Sequence, residues 1–308
     1  MVSMPPRRVS PPSRRSFLFT TPSGRRATIE LRNEDCVAGV SSLPRPADVI
    51  VTSPPYNLGV AYASYDDSIA RERYLHWMDQ WAVVMREALA GNGSLFLNVA
   101  GKPTDPIVPF QVLEVATRHF TLQNVIHWVK SISIRKEDVG DYPGLSGDVS
   151  VGHFKPLNSR RYLNDCHEYI FHLTKTGDVR LDRLAVGVPY QDKSNVGRWK
   201  KAQADLRCRG NTWFIPYKTI QNRAKDRPHP ASFPVKLPMM CVLLHGAGDT
   251  ALVVDPFLGI GPSAVACVRL GVDFVGFEID RDYFEQACAA VEAEVALLGR
   301  AGSGPSSE

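Results

Sequence analysis

Short apolar runs alternate along the chain with stretches in which apolar residues recur at helical spacing. The clearest helical period covers residues 71–90, until Gly91 and Gly93 interrupt it. This alternation is typical of an α/β fold built on a mostly parallel sheet. The pattern predicts strands at 48–51, 94–99, 124–129, 166–173, 250–255 and 273–279, and helices at 71–90, 107–118, 234–246, 262–270 and 281–298.

Two polar, basic stretches, residues 131–165 and 175–228, break this pattern, and the second is long enough for a small subdomain. Both chain ends have the composition of disordered segments. The predicted organisation is a disordered basic tail (1–16), a first α/β part (17–174), an insertion (175–228), a second α/β part (229–299) and a disordered tail (300–308).

The composition is that of a globular protein with an ample core. The chain has 308 residues, of which 44% are hydrophobic and 22% charged, enough for one large or two small domains. It contains no run of about 18 apolar residues, so we expect no membrane span. The basic N-terminal segment lacks the apolar core of a secretory signal, and the six cysteines are scattered without a CxxC pair. These features predict a cytoplasmic protein with reduced thiols and no metal site.

Positive charge is concentrated in the insertion, although the formal net charge is only +4. Residues 198–227 carry nine Lys and Arg against two Asp, with aromatic residues interleaved. A basic stretch with aromatic residues indicates nucleic-acid binding, and a solvated basic loop is the alternative. The candidate DNA-binding residues are Arg198, Lys200, Lys201, Arg207, Arg209, Lys218, Arg223, Lys225 and Arg227.

A Gly-rich loop follows the strand predicted at 250–255. Gly259 and Gly261 lie in a G-x-G-x-x-A pattern before a helix, and Glu278 ends the next strand nineteen residues after Gly259. Such a loop binds a nucleotide cofactor, with the acid accepting from the ribose hydroxyls. A nicotinamide or flavin site is the alternative, which Pro256 and Phe257 disfavour. Because only one more strand and helix follow the loop, the rest of the sheet must lie upstream, which predicts a circularly permuted cofactor fold.

A second strand-end loop, residues 52–57, follows the strand predicted at 48–51 and reads Thr-Ser-Pro-Pro-Tyr-Asn. An aromatic amine is a poor nucleophile, and acceptors aimed at its N–H groups give it sp³ character. The Ser53 hydroxyl and the Pro54 carbonyl are suitable acceptors, and two prolines keep the loop rigid. Tyr56 can stack on a base. The loop therefore indicates methyl transfer to an exocyclic base nitrogen, and a rigid turn without chemistry is the alternative.

Together these motifs resemble the β-class amino DNA methyltransferases, which act on cytosine N4 or adenine N6. The hallmark order of that family is matched by residues 53–56, then the insertion 175–228, then residues 257–261. The resemblance covers roughly residues 28–296. Further segments similar to the family are 34–36, 127–130, 167–170 and 229–234.

The resemblance implies a circularly permuted, Rossmann-like methyltransferase domain that binds S-adenosyl-L-methionine (SAM) and flips a base out of double-stranded DNA. It makes the insertion 175–228 a target-recognition region, and it implies a homodimer and a cognate restriction endonuclease as partners. The implied catalytic residues are Ser53, Pro54, Pro55 and Tyr56. The implied cofactor-binding residues are Asp35, Phe233, Asp255, Pro256, Phe257, Gly259, Gly261, Ser263 and Glu278.

Two departures from the family pattern are present. Residues 260–263 read Ile-Gly-Pro-Ser where the family often has Ser-Gly-Thr-Thr, so Ser263 is the remaining hydroxyl, and Glu34 replaces the usual glycine. Ser53 resembles the cytosine-N4 subset, because aspartate is common there in the adenine subset. The predicted activity is therefore methylation of cytosine N4, with adenine N6 as the first alternative and a non-catalytic SAM-fold nucleic-acid-binding protein as the second.

Overall fold

A computed structural model describes residues 13–60, 67–142, 144–152, 158–194, 196, 205–216 and 232–302. The strands are β1 (Ser13–Thr20), β2 (Arg26–Asn33), β3 (Ala47–Thr52), β4 (Leu89–Val99), β5 (Thr121–Val129), β6 (Ile132–Ile134), β7 (Val149–Val151), β8 (His167–Thr174), β9 (Thr212–Phe214), β10 (Leu252–Asp255) and β11 (Asp273–Phe277). The helices are α1 (Cys36–Gly39), α2 (Arg71–Ala88), α3 (Val108–Ala116), α4 (Lys136–Val139), α5 (Lys236–His245), α6 (Pro262–Leu270) and α7 (Arg281–Gly302), with a 3-10 turn at Val40–Ser42.

Nine strands of the described chain form one sheet in the order β1-β2-β11-β10-β3-β4-β8-β5-β9. Strands β2, β11, β10, β3, β4, β5 and β9 run in the same direction, whereas β1 and β8 run antiparallel to their neighbours. The short β6 and β7 form a separate antiparallel pair. The prediction of a mostly parallel α/β sheet is confirmed.

Strand β10, which precedes the Gly-rich loop, lies in the middle of the sheet although it is next to last in the chain. In a doubly wound sheet the loop-bearing strand comes first in the chain, with the second and third strands on one side and the fourth and fifth on the other. Here β11 and β2 take the former places, and β3 and β4 take the latter. The circular permutation stays a prediction, which this strand order supports.

The sheet separates two apolar cores, as expected when side chains alternate along each strand. In β3, Val49 and Val51 pack on the side of α5, α6 and α7, whereas Ile50 packs on the side of α2 and α3. The apolar residues of α2 face the second core, where Trp81 is fully buried. The core role predicted for that helical period is therefore confirmed.

The predicted boundaries differ from the structure in three places. Strand β1 begins at Ser13, so the disorder predicted for 1–16 is wrong for residues 13–16, and residues 1–12 lie outside the described residues. Helix α7 continues to Gly302, into the tail predicted at 300–308. Within the insertion 175–228, strand β9 pairs with β5 and Trp213 is buried in the main core, so this part packs on the catalytic sheet rather than forming its own subdomain.

In the described part of the chain, no helix is both long and apolar enough to cross a membrane.

Candidate active site

The two loops singled out in the sequence begin side by side, because β3 and β10 are parallel neighbours in the sheet. Thr52, the last residue of β3, donates its hydroxyl proton to Asp255 Oδ1 at 2.7 Å. Asp255 is the last residue of β10, so one hydrogen bond joins the start of the proline-rich loop to the start of the Gly-rich loop. Ligands bind beyond the carboxyl ends of parallel strands, where this edge of the sheet lies.

Asp255 is fully buried and supports the Gly-rich loop from below. Its carboxylate accepts from Ser263 Oγ and from the Phe257 backbone N–H, the latter at 3.0 Å. Burial raises the pKa of Asp255 to about 6, although these hydrogen bonds oppose the shift. Ser263 is itself fully buried, so its hydroxyl is used to brace the loop.

The Gly-rich loop requires glycine at both predicted positions. Gly259 and Gly261 have φ values of 55° and 85°, in the left-handed region that favours glycine. A Cβ on Gly261 would also lie 3.0 Å from the Cβ of Ala287 in α7, closer than ordinary packing. Helix α6 starts directly after Gly261 with Pro262, so its N-terminal end faces the loop. This is the geometry of an anion- or nucleotide-binding turn.

Glu278 follows β11 and closes the other side of the Gly-rich loop. Its two carboxylate oxygens accept from the backbone N–H groups of Gly259 and Asp280, both at 2.8 Å. Burial raises the pKa of Glu278 to about 8, more than these hydrogen bonds lower it. Because each oxygen has a further lone pair, the carboxylate can still accept protons from a ligand.

The remaining predicted cofactor residues occupy different surroundings. The Phe257 ring packs against Trp77 and Trp81 of α2, with centroids 5.7 and 5.8 Å apart, so it joins the loop to the core. Asp35 follows β2 and caps α1 by accepting from the Val37 N–H at 2.8 Å. Phe233 is buried in the core on the side of α5–α7, and Pro256 begins the turn after β10.

The proline-rich loop leaves β3 in an extended conformation and is held from one side by α2. Tyr74 donates its hydroxyl proton to the Pro55 carbonyl at 2.8 Å, and Pro54 is buried. The hydroxyl oxygens of Ser53 and Tyr56 lie 2.6 Å apart, and both residues are partly exposed. A rigid, partly open loop with a serine hydroxyl fits the predicted catalytic role.

A second group of polar side chains, missed in the sequence, lies against Tyr56. Glu168 of β8 accepts from the Tyr56 hydroxyl at 3.3 Å and from Asn98 Nδ2 and Lys130 Nζ, both at 3.1 Å. Segments 127–130 and 167–170 resembled the family as strands, which was the only sequence signal for them. Only the sheet topology shows that their charged residues meet at the proline-rich loop.

Asp67 holds the end of the proline-rich loop, another role absent from the sequence predictions. Its carboxylate accepts from the backbone N–H groups of Asn57, Leu58 and Val60 at 2.7–3.0 Å. Asn57 has φ 56°, an uncommon value for a residue other than glycine, and the three bonds stabilise that turn. Burial raises the pKa of Asp67, against the effect of these hydrogen bonds.

Of the nine predicted DNA-binding cations, the structure describes two. Arg207 is exposed, whereas Arg209 is half-buried and donates from Nε to the Val186 carbonyl at 2.9 Å. The DNA-binding role stays a prediction for both, and the other seven lie outside the described residues: Arg198, Lys200, Lys201, Lys218, Arg223, Lys225 and Arg227. Among described residues, no three His, Cys, Asp or Glu side chains are grouped so as to hold a metal ion.

The fold and these two loops define a doubly wound α/β protein with a nucleotide-type Gly-rich loop beside a proline-rich loop. A family model described as "DNA methylase", of the N6/N4 type, matches residues 47–289 and so contains both loops. The chain belongs to this DNA methylase family.

Individual relatives agree with this assignment. The chain is 28% identical over 280 residues to the Type II methyltransferase M.ScaI of Streptomyces caespitosus, covering 87% of this chain and 83% of the relative. It is 24% identical over 250 residues to the Type II methyltransferase M.HpaI of Haemophilus parainfluenzae, covering 80% and 68%.

Solved structures share the fold at lower identity. PvuII DNA methyltransferase (cytosine-N4-specific) is similar with a TM-score of 0.58 and 20% identity, covering 90% of this chain and 93% of that chain. A DNA modification methylase of Thermus thermophilus, TTHA0409, solved in complex with S-adenosyl-L-methionine, has a TM-score of 0.53 and 21% identity, covering 85% and 92%.

Proposed function

We propose that this DNA methylase transfers a methyl group from S-adenosyl-L-methionine to the exocyclic N4 of cytosine at specific sites in double-stranded DNA. The observation that carries the proposal is the Thr52–Asp255 hydrogen bond, which fixes a Ser-Pro-Pro-Tyr loop beside a Gly-rich loop at one edge of the sheet. A cofactor loop and an amine-binding loop are thereby held together, as direct transfer between two ligands requires.

The residues of the Gly-rich loop fit S-adenosyl-L-methionine. The left-handed turn at Gly259 and Gly261 allows close backbone approach, and Glu278 is a buried strand-end acid whose oxygens can accept from ribose hydroxyls. When bound, the cofactor supplies an electrophilic methyl group on a sulfonium. Asp255 and Ser263 support the loop from below, as their mutual hydrogen bond indicates.

The proline-rich loop supplies the acceptors for the target amine. Ser53 Oγ and the Pro54 carbonyl accept from its N–H groups, which withdraws the nitrogen lone pair from conjugation and makes the nitrogen nucleophilic. Because Tyr74 and Asp67 hold the loop, little reorganisation is needed when the base arrives. The base must first leave the duplex, and Tyr56 offers a ring on which it can stack.

Cytosine is favoured over adenine by Ser53, since a serine here resembles the cytosine-N4 subset of the family. The fold shared with a cytosine-N4-specific enzyme agrees with this choice. The relatives carry the name Type II methyltransferase, which supports a restriction partner for this chain. A cognate endonuclease, a homodimer and a cytoplasmic location stay predictions.

The methylated nucleoside tests the choice of base directly. After incubation of the enzyme with S-adenosyl-L-methionine and plasmid DNA, we expect N4-methylcytosine as the main product when the DNA is digested to nucleosides and analysed by mass spectrometry. A digest that contains N6-methyladenine alone would establish the adenine alternative. No methylated nucleoside with any of several plasmids would favour the non-catalytic DNA-binding protein.

The basic segment 198–227 is proposed as the main DNA contact, and its salt dependence provides the test. Replacing Lys200 and Lys201 by alanine should reduce the slope of log K against log salt by about 1.8, since each phosphate contact contributes ~0.9. Binding is measured by fluorescence anisotropy at several salt concentrations. As a matched control, Arg26→Ala with Arg118→Ala removes two exposed cations at the opposite edge of the sheet and should leave the slope unchanged. An equal slope in both double variants would place the contact elsewhere, with the basic N-terminal arm as the next candidate.

A further inference from the structure

Glu168 is buried at the reacting edge of the sheet because of the direction of its strand. Strand β8 runs antiparallel to β4 and β5, so its first residues lie where the neighbouring strands end. Glu168 is 8% exposed and pairs with Lys130 at 3.1 Å. Asn98 donates from Nδ2 to Glu168 Oε2 and to the Tyr169 carbonyl, both at 3.1 Å. A buried carboxylate with a cation and an amide donor is thus held rigidly against the catalytic loop.

The chemistry of these groups fixes the direction of each hydrogen bond. An ionised carboxylate can only accept, so the Tyr56 hydroxyl donates its single proton to Glu168. The 2.6 Å contact between Tyr56 and Ser53 therefore requires the Ser53 hydroxyl to be the donor. With its proton turned toward Tyr56, Ser53 Oγ keeps only lone pairs for any other partner.

We propose that Glu168 is a positioning residue that, through Tyr56, makes Ser53 a hydrogen-bond acceptor. This inference rests on the proposed function, in which Ser53 accepts from the target amine. A free serine hydroxyl rotates between donating and accepting, and a donated proton would compete for the nitrogen lone pair that must attack the methyl group. Glu168 removes that competing state without touching the substrate.

Replacing Glu168 by glutamine should reverse the hydrogen-bond chain while preserving its shape. Lys130 can only donate, so the amide oxygen of the glutamine turns to Lys130 and the amide NH₂ faces Tyr56. The Tyr56 oxygen then accepts, its proton turns to Ser53, and the Ser53 proton points away from Tyr56. Loss of a preorganised acceptor lowers the rate of the chemical step by about 10²-fold.

The experiment measures single-turnover transfer of a labelled methyl group from S-adenosyl-L-methionine to plasmid DNA. The variants are Glu168→Gln, Ser53→Ala and the double variant, with Glu292→Gln on the exposed face of α7 as the matched control. We expect Glu168→Gln to lower kcat about 10²-fold while both KM values stay within about twofold. In the Ser53→Ala background the same change should cost no more than about twofold, because the acceptor that it positions is gone.

Tyr56→Phe provides a second, independent test, since it removes the connecting hydroxyl and keeps the ring. Glu168→Gln should have little further effect in this background. Calorimetry with S-adenosyl-L-methionine verifies that each variant is folded. A normal rate for Glu168→Gln, or a full 10²-fold loss added to that of Ser53→Ala, would overturn the positioning role. A normal rate for Ser53→Ala would instead overturn the acceptor role in the proposed function.

Discussion

Replacing Ser53 by alanine is expected to lower the rate of methyl transfer about 10²–10³-fold, the usual cost of losing one preorganised hydrogen bond to a reacting group. Alanine keeps the Cβ, and the backbone of the loop is held independently by Tyr74 and Asp67. The loop shape and the affinity for S-adenosyl-L-methionine should therefore change little. Single-turnover kinetics with plasmid DNA measure the rate, and calorimetry measures cofactor affinity.

The control for this prediction is Ser16→Ala, which removes an exposed hydroxyl from β1 and should leave the rate unchanged. A Ser53→Ala variant within a few-fold of the wild-type rate would show that the Pro54 carbonyl suffices as the acceptor. A variant that loses both activity and cofactor binding would point to a folding defect rather than to lost chemistry.

Replacing Glu278 by alanine is expected to weaken the binding of S-adenosyl-L-methionine about 10²-fold. Hydrogen bonds to a charged group are worth about 1.5–3 kcal/mol each, and two ribose hydroxyls would lose their acceptor. The change also leaves the Gly259 and Asp280 N–H groups without their carboxylate. Calorimetry measures the affinity, and thermal unfolding shows whether the fold is retained. Unchanged affinity would mean that the Gly-rich loop does not bind the cofactor.

The raised pKa of Glu278 makes the same interaction dependent on pH. Because burial raises this pKa to about 8, the free protein holds the carboxyl protonated at neutral pH, whereas two ribose hydroxyls donate best to the ionised form. Cofactor affinity should therefore fall about tenfold between about pH 9 and about pH 7. Glu278→Gln keeps the shape and should abolish this dependence, which separates it from titration of the ligand.

The same shift has a consequence for stability. The folded state keeps the Glu278 proton between 4.5 and about 8, where the unfolded state has lost it. The free energy of unfolding should therefore fall as pH rises through this range, to a smaller extent in the glutamine variant. Urea unfolding at several pH values measures the slope.

The regular elements of the fold could be predicted because their sequences signal them locally. Helix α6 lies where the sequence predicts it, since Pro262 opens it and Gly271, in the left-handed conformation, ends it. Strand β1 has no such signal, because it lies at the sheet edge with only Phe19 of its side chains buried. Its basic, serine-rich start therefore has the composition of a disordered tail.

The two loops of the site were predictable for a similar reason, since each is a contiguous motif after an apolar strand. Glu168, Lys130 and Asn98 are more than 30 residues apart along the chain, and each reads alone as a polar residue in a strand. Their meeting depends on the antiparallel insertion of β8 between β4 and β5, which no local pattern encodes. Asp67 escapes prediction because it acts on backbone groups seven to ten residues upstream.

The chain between β5 and β8 leaves the sheet and returns to it at adjacent positions on the same edge. Val129 pairs with His167, and the Lys130 N–H donates to the Cys166 carbonyl at 2.7 Å, which closes the stem of this excursion. Residues 131–165 can consequently gain, lose or exchange sequence without altering the spacing of Lys130 and Glu168. Divergence in what surrounds the mouth of the cleft is thereby uncoupled from constraint on the groups inside it, so relatives can evolve new surfaces over an unchanged reactive centre.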